Sequence, residues 1–162
     1  MTYPNYYIGP MTKNVVDAII EFCEETDSKI GLIPSRRQVE WNGGYVNNWT
    51  TEEFSKYSNK VLLKRDHSGP AQGNEDDDGY ESLEHDCKWL NMIHIDPWKR
   101  FPTYEGGLLW TINMINFCHE KNKEIEFEVG TEEAIRYFEP EELDRLLNDL
   151  KDSLEPDVFD KI

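Results

Sequence analysis

Short apolar runs alternate with longer stretches of helical periodicity along the whole chain, and this alternation predicts the elements. Five runs read as strands: Tyr6–Ile8, Ile30–Ile33, Val61–Lys64, Met92–Asp96 and Ile125–Val129. Successive starts lie 24 residues apart (6 to 30), then 31 (30 to 61), 31 (61 to 92) and 33 (92 to 125). A strand–loop–helix–loop unit needs about 30 residues, so the spacing predicts parallel strands joined by crossover helices. The intervening segments carry helical stripes. Thr12–Glu25 places Val15, Val16, Ile19, Ile20 and Cys23 on one face. Thr50 with Glu53 reads as a capping box. Gly79–Leu90 and the more apolar Glu105–Lys121 follow, and Pro140 opens a last helix with Leu143, Leu146, Leu147, Leu150 and Leu154 along one side.

Strands buried on both faces read as unbroken Val/Ile/Leu. Three of these do not. Met92–Asp96 alternates apolar residues with His94 and Asp96, which puts both polar groups on one face. Glu124, Glu126 and Glu128 alternate with Ile125, Phe127 and Val129. Val61-Leu62-Leu63 gives way to Lys64-Arg65-Asp66-His67. If the helices cover one face, the other is charged, and its charges must pair, bind a metal or line a wet cavity. Two readings follow. One is a structural ion-pair network in which Lys64 and Arg65 neutralise Glu126 and Glu128. The other is a polar site at the C-terminal ends of the strands, where α/β folds place their chemistry.

Composition sharpens the choice of class. The 162 residues carry a net charge of −16, with 38% hydrophobic and 12% aromatic residues. Aromatic content of that order predicts one packed domain under an acidic surface rather than a disordered acidic tail. The sign of the charge argues against a sequence-independent grip on nucleic acid or anionic membrane. No apolar run approaches the roughly 20 residues of a membrane span, and the N-terminus lacks the basic and apolar regions of a secretory signal. Cys23, Cys87 and Cys118 form no CxxC pair, as expected of reduced thiols in a cytoplasmic protein.

The best chemical candidate is Asp66-His67 ahead of Ser68-Gly69-Pro70. A neutral imidazole can ligate a divalent metal, and a carboxylate beside it can move a proton. The Gly-, Pro- and acid-rich stretch 68–78 is the longest loop, read either as a solvated surface loop or as a cover over a site. His85 and His119 fall on helices and read as surface or core residues. No nucleophile elbow, Walker or Rossmann glycine pattern is present.

Several segments, in order, resemble the tagatose-bisphosphate aldolase accessory (non-catalytic) subunit family, a relative of the class II aldolases. They are Gln38-Val39 with Gly43-Gly44-Tyr45, Asp66-His67-Ser68-Gly69-Pro70, Ile93-His94-Ile95-Asp96 and Gly130-Thr131-Glu132. The resemblance implies a TIM barrel in which an Asp-His after the third strand serves proton transfer and metal binding. Asp66 is then the expected acid/base and His67 the expected ligand of a divalent metal such as zinc. Gln38, His94, Asp96, Glu128 and Glu132 are the expected substrate-binding residues, gathered at the strand ends. A TIM barrel takes about 250 residues, so the expectation is a single partial barrel over 1–162 of five βα units, without strands six to eight. Lys64-Arg65 and Lys99-Arg100 stand where the family has small residues, and they can either hold a phosphate or pair with the excess acids.

The expected role lies in carbohydrate metabolism. The chain would bind a sugar phosphate or support a catalytic partner, without aldol cleavage of its own. The expected partner is a second copy of the chain or a catalytic aldolase subunit, because an open sheet edge invites pairing. The alternatives are a metal-dependent lyase or isomerase acting on a phosphorylated sugar, and a degenerate fragment that keeps the fold without chemistry.

Overall fold

The structure is a computed structural model that describes residue 4, residues 6–130 and residues 137–162. Strands and helices alternate: β1 (Tyr6–Ile8), α1 (Lys13–Thr26), β2 (Ile30–Leu32), α2 (Thr51–Tyr57), β3 (Lys64–Ser68), α3 (Tyr80–Trp89), β4 (Met92–Ile95), α4 (Tyr104–Lys121), β5 (Glu126–Val129), α5 (Pro140–Ser153) and α6 (Pro156–Phe159). β1 pairs with β2, and β3, β4 and β5 form a second sheet in that order; every pairing is parallel. Parallel bridges Leu32–Leu63 and Ser35–Asp66 join the two sheets. Strand order in space thus follows strand order in the chain.

The helices start where the sequence supplies caps. Thr12 accepts from the Val15 amide, Thr103 from the Gly106 amide, and Thr50 with Glu53 makes the reciprocal capping box. Their apolar stripes cover one sheet face. Ile93, Ile95 and Phe127 pack with Leu83, Met114, Ile115, Leu146 and Leu150 in the larger core. Val16, Leu32, Val39, Val46, Phe54 and Leu63 form the smaller one. Each such side chain contributes about 1.5–3 kcal/mol when fully buried. Strand parity sends Lys64, Met92, His94, Glu126 and Glu128 to the opposite face.

One strand lies elsewhere than the apolar run predicted. The third strand is Lys64–Ser68, not Val61–Lys64: the ladder to β4 starts at Lys64–Met92. A strand of four ionisable residues is stable because its charges are met. Lys64 pairs with Glu128 and lies 5.5 Å above the Tyr7 ring. Arg65, fully buried, forks onto both carboxylate oxygens of Asp86 at 2.7 and 2.9 Å. It also donates to the carbonyls of Val39, Ser35 and Pro34 and to Thr51 Oγ1. Of the ion-pair reading, the Lys64–Glu128 pair is present, whereas Arg65 goes to Asp86 instead of Glu126 or Glu128. Arg65, one residue on from Lys64, necessarily points into the helix layer. No described helix is long and apolar enough to cross a membrane.

Candidate functional site

Parity alone would send His67 into the helix layer after Arg65. A bulge prevents it. Arg65 pairs with Ile93 and Ser68 with Ile95, so three steps on β3 oppose two on β4. His67 absorbs the extra residue in the left-handed region, at φ 45°. Arg65 and Ser68 then both reach Asp86 on α3, Ser68 Oγ at 3.3 Å. Asp66 and His67, between them, both reach residues of β4 or its C-terminal end. Gly69 completes the turn at φ 155°, so close to β4 that a Cβ would lie 2.3 Å from the Asp96 carbonyl oxygen.

The bulge assembles a compact polar group. His67 Nδ1 lies 2.7 Å from Asp96 Oδ2, and its Nε2 lies 3.7 Å from Asp66 Oδ1. His94 Nδ1 is 4.0 Å from the same Asp66 oxygen, and the two imidazoles are 5.1 Å apart. A carboxylate only accepts, so Asp96 assigns the proton to Nδ1 of His67 and leaves Nε2 to face Asp66. Asp96 is buried, and also accepts from Gln72 Nε2 at 2.6 Å and from the Trp98 amide at 3.2 Å. Burial would raise the Asp66 pKa, but the imidazoles of His94 and His67 and the Lys64 ammonium hold it below the usual carboxylate value. On the same open face, burial and then the charges of Glu126 and Glu128 push the Tyr7 phenol up.

The donor set suits a divalent metal. One ligand atom each from Asp66, His67 and His94 lies within 4.8 Å of the others, and Asp96 orients His67 from behind, as outer partners of metal-bound histidines do.

Of the residues expected at the site, Asp66, His67, His94 and Asp96 come together. Glu128 stands beside His94 in the ladder and carries the Lys64 ion pair. The hydrogen bonds of Gln38 go elsewhere: it accepts from the Ser35 amide at 2.7 Å and donates to Met11 Sδ at 3.5 Å. Glu132 lies outside the described residues.

Sequence reasoning raised Lys99 and Arg100 as partners for the excess acids but missed Arg36 and Gln72, which also hold loop 69–78. Arg36, buried, donates to the Gly69 carbonyl at 2.6 Å and forks onto Asp77 at 2.5 and 3.0 Å. Its Nε donates to Glu40, which also accepts from Ser82. Lys99 donates to the Ala71 carbonyl and Arg100 pairs with Asp76. These cations pair with the acidic loop, and the loop reaches the site through Gln72. The loop's charge run was the available signal, since it required cations from somewhere. On its other flank lies an acidic cavity of about 250 Å³ lined by Arg36, Glu40, Trp41, Glu75, Asp77 and Glu81. None of the Asp-His group lines it.

The fold and this strand-end group define an α/β protein of sequential parallel βα units. No family model matches the chain, and no curated protein matches it by sequence. A solved structure with the same fold is that of a probable tagatose 6 phosphate kinase from Sinorhizobium meliloti, at TM-score 0.75 and 16% identity. The match covers 97% of this chain and 47% of that one, so the chain spans about half the length of the structure it resembles.

Proposed function

We propose that the chain is a single partial (β/α) barrel of the class II aldolase type. It binds a sugar phosphate at the C-terminal ends of β3 and β4 and supports a catalytic aldolase subunit, as the tagatose-bisphosphate aldolase accessory subunits do. The observation that carries this reading is the bulge at His67, which turns Asp66 and His67 together toward His94 and Asp96. Backbone strain of this kind costs about 1–3 kcal/mol and persists at functional sites. Strand order gives further support, as does the likeness to a protein whose name contains a sugar phosphate.

In this reading Asp66, held ionised, faces the bound sugar phosphate; proton transfer by Asp66 at the carbon next to the carbonyl belongs to the lyase or isomerase alternative below. Asp96 fixes the His67 tautomer so that Nε2 is presented to the ligand. His67 and His94 would hold a divalent metal beside Asp66, and in the lyase or isomerase alternative such a metal would supply polarisation of a carbonyl oxygen. Three free thiols fit a cytoplasmic setting.

The test is titration of the full chain with a ketose bisphosphate, with and without zinc, followed by imidazole NMR. Resonances of His67 and His94 should shift, and Asp66→Asn or His67→Asn should abolish the shift. Unmoved imidazoles at millimolar ligand would refute the reading. A second reading, a metal-dependent lyase or isomerase, is favoured by the spacing of Asp66, His67 and His94. The accessory reading expects no aldol cleavage by the metal-loaded chain alone, and steady turnover would decide for the enzyme.

A further inference from the structure

We propose that residues 72–76, the tip of loop 69–78, form a lid beside the Asp-His group, latched by Arg37, Lys99 and Arg100, and that a phosphate dianion opens it by taking those three cations. The proposal rests on the sugar-phosphate reading above and adds to it which residues meet the phosphate and what controls access. The loop divides into two parts of different strength. Its neck is built in. Gly69 and Gly79 approach so closely that a Cβ on Gly79 would lie 2.7 Å from the Gly69 carbonyl carbon. The Ala71 amide donates to the Asp77 carbonyl at 3.1 Å, and buried Arg36 binds both Gly69 and Asp77. Ends in contact around a short excursion of chain are the form of an Ω-loop. Parting them would strip a buried guanidinium of its partners, so the neck stays shut.

The tip is fastened differently. Ala71, at φ 57°, marks the passage from neck to tip, a strained position for a residue with a Cβ. Beyond it, Gln72 Nε2 donates to Asp96 Oδ2, the same oxygen that faces His67 Nδ1. Gly73 lies against the Arg36–Glu40 pair. Three cations from the two flanking loops hold the rest. Arg37, after β2, donates to the Gly73 carbonyl at 3.4 Å, whereas Lys99 and Arg100, after β4, reach the Ala71 carbonyl and the Asp76 carboxylate. The side chains of Arg100 and Asp76 are 46% and 75% exposed, so their pair is open to water and weak. Two of the three cations thus spend their charge on neutral carbonyls, and the third on a solvated carboxylate. A phosphate dianion is a stronger acceptor than either. Lys64, Arg36 and Arg65 are already committed to Glu128, to Glu40 with Asp77, and to Asp86, which leaves the three latch cations for an incoming anion. Closed, the acidic tip occupies them in the ligand's place. Opening frees Gln72 from Asp96 and uncovers that side of the Asp-His group.

The probe is inorganic phosphate, titrated at constant ionic strength into the full ¹⁵N-labelled chain. The Gln72 side-chain amide and the backbone amides of residues 72–76 should shift together with the Arg100 Nε–H, while Ala71 and Asp77 in the neck stay unmoved. Two substitutions break the same ion pair and should act in opposite directions. Arg100→Gln removes a phosphate contact and should weaken phosphate binding about tenfold. Asp76→Asn removes the competing carboxylate and should strengthen it about threefold, because a larger fraction of the chain is open. Glu75→Gln, next to it on the wall of the acidic cavity, controls for the loss of one negative charge and should give a smaller gain. Equal gains from Asp76→Asn and Glu75→Gln, a loss from Asp76→Asn, or a tip unmoved at tens of millimolar phosphate would overturn the proposal. The ketose bisphosphate titration keeps its own readout at His67 and His94. Imidazoles that shift beside an unmoved tip overturn the lid and keep the sugar reading, and a tip that opens beside unmoved imidazoles does the reverse.

Discussion

Arg65 and Asp66 are adjacent on one strand and live in different media. Arg65 points into the helix layer, fully buried, with its guanidinium satisfied by Asp86, Thr51 and three carbonyls. Asp66 points to the open face, about a third exposed, among two imidazoles and an ammonium. The first holds the βα units together: it ties β3 to α3, to the N-terminal turn of α2 and to the loop after β2. The second stays ionised on the open face, beside His67 and His94. Similar residue types, one position apart, are separated into scaffold and site by the pleat, and the bulge at His67 extends the site by one residue.

Breaking the scaffold side has the largest expected effect. Arg65→Met leaves the Asp86 carboxylate buried without its cation, and should cost about 3–5 kcal/mol in urea unfolding at neutral pH. His67→Asn, on the site side, should stay within about 1 kcal/mol of the parent, because Asn tolerates the left-handed region. If the two variants lost equal stability, the division of β3 into two roles would be wrong.

Gly69→Ala comes next. Its methyl would stand 2.3 Å from the Asp96 carbonyl oxygen, at a φ of 155° that L-residues avoid. Overpacking together with strain should cost about 3 kcal/mol, and should also weaken the His67–Asp96 contact, seen as a shift of the His67 ring resonances. Gln72→Leu is milder. Losing one hydrogen bond to Asp96 should cost about 1 kcal/mol, concentrated in the loop. Amide exchange at residues 70–74 should quicken while α4 stays protected, and uniform quickening would count against the loop's being clamped locally.

The smallest effect is electrostatic. The folded pKa of Asp66 lies below its unfolded value of about 3.9, so its stabilisation is present above that pH. It is lost as pH falls through the lower, folded value. Asp77 behaves in the same sense, because Arg36 holds its carboxyl low. The urea midpoint of Asp66→Asn should therefore fall less steeply than the parent's below about pH 4. Parallel curves would show that the open-face charges contribute nothing to the fold.

Most of the architecture was legible in local pattern. The Thr50–Glu53 box, the stripe of α1, the Pro140 start of α5 and the positions of β1, β2, β4 and β5 lie where the periodicity put them, to within a residue or two. They were legible because caps and amphipathic faces depend on residues a few positions apart. The parity of His94 and of Glu126 with Glu128 followed from the strand period alone. β3 was misplaced because an apolar run marks burial, whereas Lys64–Ser68 is stabilised by partners 14 to 64 residues away: Thr51, Asp86 and Glu128.

The same limit governs the site. The sequence by itself singled out Asp66, His67, His94 and Asp96 as polar residues at neighbouring strand ends. Only the tertiary structure decided that Arg65 belongs to the scaffold, that a bulge turns His67 toward Asp96, and that Arg36 and Gln72 hold the loop. Each of those outcomes is set by which charges meet across separate βα units, where desolvation leaves a buried ion no alternative to its partner, and no local pattern encodes that meeting.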